Sequence, residues 1–349
     1  MRNRVSRRKF IKDTSVIIIG SLSALSLPFN LLAQGSKDTT KTPLPKVKVV
    51  EVISPNVWPE GKQEPVPEII KEFFKSGLKE ITGQSDLKTA WQSLVTPEDV
   101  VGIKVNAMGA MGKMNCCTRP AIVAEVIEGL KLAGVDENNI IIWDKMNTLL
   151  TGAGFKINTS KKGVRCFGTV DDGFDDKVTY SAKTDPPGKS SKYCTILTKQ
   201  ITKLINIPIL KNNTVKGITG ALVNVTLGGL DQVSRFHQFN CDPMIAEIYN
   251  HPAIKDKAVL HILDSLEGCF TGGPMPNNPK DLWLRNSLLF SRDPVALDRI
   301  HLDIIDKKRQ EEKLPSLQPA SKHIFTAEKM GLGVADLGQI NHLQINLNE

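Results

Sequence analysis

The amino-acid sequence predicts an α/β fold: a mostly parallel, doubly wound sheet with helices on both faces and an inserted lobe. The prediction depends first on three runs rich in valine and isoleucine, at residues 99–106, 140–143 and 204–210. Runs of this kind are typical of strands that are covered on both faces. It depends also on apolar residues at helical spacing over 122–130, between the first two runs. A helical crossover of this kind makes the two strands parallel and the connection right-handed.

The first 35 residues are predicted to be an export signal and not part of the fold. The sequence S-R-R-K-F at residues 6–10 precedes an apolar run over 16–32, and small residues follow it. This order is typical of a twin-arginine signal peptide, which predicts a periplasmic location and the twin-arginine translocase as a partner. A membrane anchor is the alternative, but the run is short for a span and Pro28 interrupts it.

Charge and composition exclude some classes of partner. The chain of 349 residues has a formal net charge of +8 and 5% aromatic residues. Residues 1–33 hold six basic residues and one acidic residue, which leaves about +3 on the mature chain. So small a surplus, with no interleaved aromatic residues, does not indicate a nucleic-acid partner. No segment after the leader is long and apolar enough to predict a stable membrane span.

The mature chain is predicted to contain a polar tether over residues 36–45 and a single α/β domain over 46–349. A short strand at 47–53 begins the domain. Helices at 66–81 and 87–94 follow, and Asp86 provides an N-cap for the second of them.

A glycine- and methionine-rich loop joins the strand at 99–106 to the next helix. Thr118 is the predicted N-cap of that helix, Pro120 lies in its first turn, and Gly134 ends it in a left-handed conformation. The strand at 140–143 then completes a β-α-β unit.

Residues 155–192 are the predicted inserted lobe, because they are polar and glycine-rich with only brief strand patterns. A helix is predicted at 194–201 and a buried strand at 204–210. A further helix is predicted at 217–227, and its N-terminus would favour an anion. Close packing of that helix on the sheet is the alternative explanation of its glycines.

The C-terminal part supplies the remaining elements of the sheet and its helical layers. Asp293 is the predicted N-cap of one helix, with Pro294 at its first position. The predicted strands and helices are 259–263, 288–291, 295–305, 320–330 and 343–347.

Polar residues that follow parallel strands face a common crevice at the carboxyl edge of the sheet. We expect Lys104, Lys211 and Asp264 to be catalytic there, because a lysine beside carboxylates can be tuned for proton transfer. Predicted ligand-binding residues are Asn106, Thr118, Arg119, Asp144, Thr219, Asn224 and Asp293. Structural alternatives remain open for the carboxylates, which can cap a helix or bond loop amides.

Four residues form a candidate metal set: Cys116, Cys117, His237 and Cys241. His237 and Cys241 have the spacing of a helical ligand pair, and a thiolate is favoured at a helix N-terminus beside the cysteine pair. The alternative is a histidine whose hydrogen bonds are made within the protein, together with buried thiols that bind no metal.

The six cysteines contain no C-x-x-C pair and indicate no disulfide framework, although one bridge, between residues 166 and 194, stays open. The cofactor is unknown, with a metal or a pre-inserted cofactor both compatible with this export route.

Seven motifs occur in order along the mature chain: VGIKVN, IIIWD, INIPILK, GITGAL-x-N, FH-x-x-x-CDP, LDSL and DPVALDRI. In this order, after a twin-arginine leader, they resemble the bacterial and archaeal family called domain of unknown function 362. The resemblance covers essentially the whole mature chain and implies little chemistry, since the family name assigns none. Two departures are the missing iron–sulfur segment of other members and Val223, where the resemblance leads us to expect lysine.

A weaker resemblance, over about 45 residues, is to lactate-racemase-type proteins that bind a nickel-pincer nucleotide. Thr118-Arg119-Pro120 and Ala133-Gly134-Val135 carry it, but the G-T-H-R signature of those proteins is missing, so it bears on the fold only.

Together these features predict an exported soluble protein whose strand-end crevice binds a small anionic or metal-containing ligand. Whether the protein acts on that ligand as an enzyme stays open. The alternative is a non-catalytic periplasmic metal- or redox-handling module built on the four-residue metal set. Substrate, reaction type and oligomeric state are not specified by the sequence.

Overall fold

A ten-stranded sheet forms the centre of the computed structural model, which describes residues 46–60 and 64–347. The predicted leader and tether lie outside the described residues. The strands are β1 (Val47–Ile53), β2 (Val101–Lys104), β3 (Ile140–Asp144), β4 (Arg165–Gly168), β5 (Phe174–Tyr180), β6 (Ser191–Cys194), β7 (Lys203–Asn206), β8 (Ile209–Asn213), β9 (Gly217–Ile218), β10 (Ala258–Cys269), β11 (Leu282–Ser291) and β12 (Ile340–Asn346).

Helices cover both faces of this sheet. They are α1 (Pro67–Thr82), α2 (Leu87–Gln92), α3 (Pro120–Ala133), α4 (Asn147–Gly152), α5 (Thr169–Asp172), α6 (Ala221–Gly229), α7 (Met244–Tyr249), α8 (Pro252–Lys255), α9 (Pro294–Glu311) and α10 (Lys322–Lys329). In the described part of the chain, no helix has the length and apolar character needed to cross a bilayer.

The sheet is mixed but mostly parallel. Its order is β12-β1-β11-β10-β7-β2-β3-β4, with β8 beside β10 and β9 beside β8. From β10 through β4 every neighbouring pair is parallel, and β11 is antiparallel to both β1 and β10. The predicted fold class is therefore confirmed.

Two apolar layers hold the helices against the two faces. One contains side chains of α1, α2 and α3, and the other contains side chains of α6, α7, α9 and α10. Gly129 shows how closely one layer packs, because a Cβ atom there would lie 2.1 Å from the indole of Trp91. The central strands are buried throughout, which explains why their sequences alternate so little.

Several predicted helix ends are confirmed and one is wrong. Gly134 ends α3 with φ 102°, Asp86 caps α2, and Asp293 caps α9 by accepting from two backbone amides. The N-cap of α3 is Arg119 and not Thr118. The Thr118 hydroxyl instead accepts from the Asn106 amide at 2.8 Å and donates to the Ile207 carbonyl at 2.7 Å.

The middle of the chain differs from the predicted pattern in detail. Residues 155–192 contain β4, which extends the main sheet, and most of a separate antiparallel pair formed by β5 and β6. The predicted helix at 194–201 is a short π-helix, Ile196–Gln200. The predicted helix at 217–227 starts only at Ala221, because Gly217 and Ile218 pair with β8 as a short strand. All six cysteines are free buried thiols, so the bridge considered between Cys166 and Cys194 is not formed.

Candidate functional site

A cavity of about 310 Å³ lies at the carboxyl ends of β2 and β3. We call it the strand-end cavity. Six of the predicted site residues line it, and so do three polar residues that the sequence analysis did not select. The polar lining consists of Lys104, Asn106, Asp144, Lys145, Asn213, Lys216, Thr219, Asn224 and His237, and the apolar lining of Met108, Val223, Leu227, Val233, Pro274 and Met275.

A buried ion pair forms the floor of the strand-end cavity. The Lys104 ammonium donates to Oδ1 of Asp144 at 2.8 Å, to the Val105 carbonyl at 2.6 Å and to Oδ1 of Asn224 at 3.1 Å. Oδ2 of Asp144 accepts from the Ala107 amide at 2.6 Å. Burial lowers the pKa of Lys104, and the Asp144 charge opposes that shift. Because all three ammonium hydrogens are used, this pair positions the neighbouring loop and has no donor left for a ligand.

Gly228 makes room for that lysine. A Cβ atom on Gly228 would lie 2.4 Å from Cε of Lys104 and 2.8 Å from its Nζ. Real Cβ atoms do not approach so closely, so a side chain at this position of α6 would displace the ammonium from Asp144.

A row of buried amides borders the ion pair. Nδ2 of Asn106 donates to Oδ1 of Asn224 at 3.0 Å, and Nδ2 of Asn224 donates to Oδ1 of Asn206 at 2.8 Å. Asn106 is only 4% exposed, yet its Oδ1 atom has no hydrogen-bond partner among the described residues. An unpaired buried acceptor costs about 1–3 kcal/mol. The residue lines the cavity, although this oxygen itself has almost no accessible surface.

Two further lysines give the cavity an excess of positive charge. Lys145 donates to the carbonyls of Leu230 and Asp231, and Lys216 lies 3.3 Å from Nε2 of His237. Neither ammonium has a carboxylate within 4.0 Å in the part of the chain that the structure describes. Burial lowers the pKa of both lysines. Since Asp144 neutralises only Lys104, the lining carries uncompensated cations.

Lys216 and His237 form an acid–base pair at the rim. Nδ1 of His237 lies 3.1 Å from the Ser234 carbonyl, which fixes a proton on Nδ1 and leaves Nε2 as an acceptor for the Lys216 ammonium. Burial and the nearby Lys216 charge lower the pKa of His237. The lowered pKa favours the neutral imidazole beside the Lys216 side chain.

Lys211 and Asp264 do not line the strand-end cavity, which corrects their predicted positions. Both lie inside strands and not at strand ends, because β8 continues to Asn213 and β10 continues to Cys269. The Lys211 ammonium donates to the Cys116 carbonyl at 3.2 Å, and Lys211 is fully buried.

Asp264 is fully buried and bonded to Arg119, which lines a second cleft of about 810 Å³ together with Thr118, Glu267 and other residues. Its carboxylate accepts from the backbone and guanidinium of Arg119, both at 3.0 Å, and Arg119 also contacts Glu267 at 3.2 Å. Burial raises the pKa of Asp264, and the Arg119 charge opposes this. Asp293 is engaged elsewhere, with the amides of Val295, Ala296 and Val334.

The four predicted metal ligands are not brought together. His237 lies in a 3₁₀ helix that ends at Phe239, and Cys241 follows it with φ 59°, so the expected α-helical spacing is wrong. Cys116 and Cys117 are buried, and burial raises the pKa of Cys117 to about 12, opposite to the expected thiolate. Within residues 46–60 and 64–347, no three His, Cys, Asp or Glu side chains are grouped to hold a metal ion.

The anion site predicted at the N-terminus of α6 is filled by a carboxylate of the protein. The carboxylate of Asp298 accepts from the amides of Ala221 and Leu222, the first residues of α6. Three polar residues of the lining were not predicted from the sequence: Lys145, Asn213 and Lys216. Lys145 follows the predicted strand end at Asp144 directly, so that signal was available, whereas Lys216 lies in a turn between two strands that the periodicity did not separate.

Comparisons with known proteins agree with the sequence motifs. The family model described as Domain of unknown function (DUF362) matches residues 101–303, which include the whole cavity lining. Comparison with the curated proteins gives no significant match. Among solved structures, a crystal structure of a protein from Thermotoga maritima is 14% identical, with a TM-score of 0.35, and the match covers 59% of this chain. This chain spans only 52% of the length of that protein.

Proposed function

The chain belongs to the family described as Domain of unknown function (DUF362), and from that premise we propose that its strand-end cavity binds a small organic anion carrying a hydrogen-bond donor. The uncompensated charge of Lys145 and Lys216 is the observation that carries this proposal. A buried cation is costly unless an opposite charge meets it. A carboxylate or phosphate group at the rim would supply that charge, with hydrogen bonds worth about 1.5–3 kcal/mol each.

The donor requirement follows from Asn106. The residue lines the cavity, and its Oδ1 atom is buried and unpaired among the described residues. A hydroxyl or amine on the ligand would pair with it and offset the cost of the lone acceptor. Apolar side chains such as Met108 and Leu227 cover the remaining wall, so they exclude water and strengthen the polar contacts.

Proton transfer is the activity that this site supports best. Lys216 has a pKa lowered by burial and touches a neutral imidazole, so the Lys216–His237 pair can give or take a proton at the ligand. Lys104 is saturated by hydrogen bonds and Lys211 lies behind the cavity wall. We therefore assign proton transfer to Lys216 and His237 and positioning to Lys104 and Asp144.

Ligand mass spectrometry tests the binding proposal. The full-length protein, purified natively, is expected to release a small organic anion on denaturation. The same species should be lost from Lys216→Gln and retained in Lys161→Gln, which removes an exposed lysine away from the cavity. Equal occupancy in Lys216→Gln and the wild type would contradict the proposal.

Added probes test the same proposal without a co-purified ligand. Glycolate should raise the melting temperature more than acetate does, because only glycolate has a hydroxyl for Oδ1 of Asn106. Both effects should vanish in Lys216→Gln. If acetate and glycolate bind equally in the wild type, the donor requirement fails.

We also propose that the mature protein acts outside the cytoplasm after export by the twin-arginine translocase. The order of charged, apolar and small residues over 1–35 supports this, although that segment lies outside the described residues. A translocase that carries folded cargo is compatible with a protein whose cavity is built from strands far apart in sequence.

A further inference from the structure

Two thiols that are 153 positions apart in the chain lie together beside the strand-end cavity. Cys116 lies in the loop between β2 and α3, and Cys269 is the last residue of β10. They pack in one small buried cluster with Ile209, and Cys116 is 4% and Cys269 0% exposed. The neighbouring Cys269 thiol lowers the pKa of Cys116, whereas the pKa of Cys269 is raised, and Sγ of Cys269 donates to the Thr271 carbonyl at 2.8 Å.

A buried cation accompanies this thiol pair. Lys211 is the register partner of Cys269 in the neighbouring strand, and its ammonium donates to the Cys116 carbonyl at 3.2 Å. No carboxylate lies within 4.0 Å of that ammonium among the residues that the structure describes. A positive charge beside a thiol favours the thiolate, which is the form that attacks a disulfide. Lys211 does not line the strand-end cavity, so its charge acts on this thiol pair and not on the proposed ligand.

The two segments that carry the thiols also wall the cavity. Met108 comes from the segment of Cys116, and Met275 comes from the segment that follows Cys269. The segments are already joined, since the Met114 amide donates to the Pro276 carbonyl at 3.2 Å. Gly112 lets them approach, because a Cβ atom there would lie 2.7 Å from that carbonyl oxygen. A covalent link would make this arrangement permanent.

We propose that Cys116 and Cys269 are a redox-active pair whose disulfide locks together the two loops that wall the cavity. The Cys116 thiolate attacks an external disulfide, forms a mixed disulfide and releases one thiolate, which takes a proton. The Cys269 thiol then loses its proton, attacks the Cys116 sulfur and releases the second thiol. Two protein thiols are thus oxidised by two electrons, and the external disulfide is reduced to two thiols. The covalent step does not depend on the proposed ligand.

Peptide mapping of the full-length protein after treatment with oxidised glutathione tests the covalent step. Free thiols are expected to fall from six to four, with a single cross-linked peptide pair joining Cys116 to Cys269. Cys269→Ser should stop at one glutathione on Cys116, and Cys166→Ser, a buried cysteine elsewhere, should cross-link as the wild type does. Retention of all six thiols, or a link between Cys116 and Cys117, would overturn the proposal.

Trypsin cleavage after the exposed Lys113 tests the locking of the loop. The oxidised protein should be cut at least several-fold more slowly than the reduced protein, and Cys269→Ser should show no such difference. Equal cleavage rates in a fully cross-linked sample would overturn the locking step. Neither measurement uses the ligand, so failure here is separate from failure of anion binding.

Discussion

The Nζ atom of Lys104 lies 2.8 Å from Oδ1 of Asp144, and both side chains are almost completely buried. The two residues end neighbouring parallel strands, which is why residues 40 positions apart meet. The pair neutralises itself, so the charge that a ligand would meet comes from other lysines of the cavity. Its main effect is on stability and on the position of the loop that begins at Ala107.

Asp144→Ala should destabilise the protein by about 3–5 kcal/mol, because it leaves a buried ammonium without its counter-ion. Urea unfolding of the full-length protein measures this change. Glu128→Ala is a matched control, since it removes one partner of an exposed ion pair with Lys131 and should leave the unfolding midpoint unchanged. A loss below about 1 kcal/mol in Asp144→Ala would show that the ammonium finds other compensation.

Asn106→Asp tests the sign of the ligand charge. The substitution keeps an acceptor oxygen at the cavity wall but adds a negative charge. Binding of glycolate should weaken by at least tenfold in calorimetric titration, since an added anion opposes a second one in a poorly solvated site. Asn106→Ser is the control, because it keeps an acceptor without the charge and should lose less affinity. Tighter binding of glycolate to Asn106→Asp would contradict the proposed recognition of an anion at this wall.

Exchange of both signal arginines for lysine should stop export. The variant Arg7→Lys/Arg8→Lys keeps the charge of the leader but removes the paired guanidinium groups. The protein should then accumulate in the cytoplasmic fraction with its leader uncleaved. Arg2→Lys/Arg4→Lys changes two arginines outside the pair and should export normally. Normal export of the first variant would contradict a twin-arginine signal.

The fold and part of the site could be predicted from the sequence. Lys104 and Asp144 each follow an unbroken apolar run, so the strand ends were visible and their meeting followed from parallel pairing. The strand end predicted at Asp264 is wrong, because that strand contains polar residues and continues to Cys269. Those polar groups are satisfied by partners distant in sequence, such as Arg119 for Asp264 and the Ser287 carbonyl for Ser265.

Contacts of this kind cannot be derived from local patterns. The pairing of Cys116 with Cys269 and of Lys216 with His237 depends on how separate loops pack at one edge of the sheet. The capture of the α6 amides by Asp298 likewise depends on the packing of one helix against another. Periodicity predicts which face of an element is buried, but it does not specify which loop covers a strand end.

Three buried histidines should make stability fall in acid. Burial lowers the pKa of His261, His301 and His323 to about 3, from an ordinary value of 6.5. Between these two pH values the unfolded chain binds more protons than the native state, so the free energy of unfolding falls as pH falls. Each histidine should remove roughly 1.4 kcal/mol per pH unit in this window.

The carboxyl of Asp298 opposes this effect. Burial raises its pKa from 3.8 to about 7, so below pH 7 the native state takes up a proton that the unfolded state does not, and stability rises as pH falls. Because the three histidines outnumber this carboxyl, the free energy of unfolding should still fall as pH falls from 6 to 4. Urea unfolding at pH 7, 6 and 5 measures the slope, which should be shallower by roughly 1.4 kcal/mol per unit in His323→Gln. A free energy of unfolding that is constant from pH 7 to pH 5 would show that these histidines are protonated in the native protein.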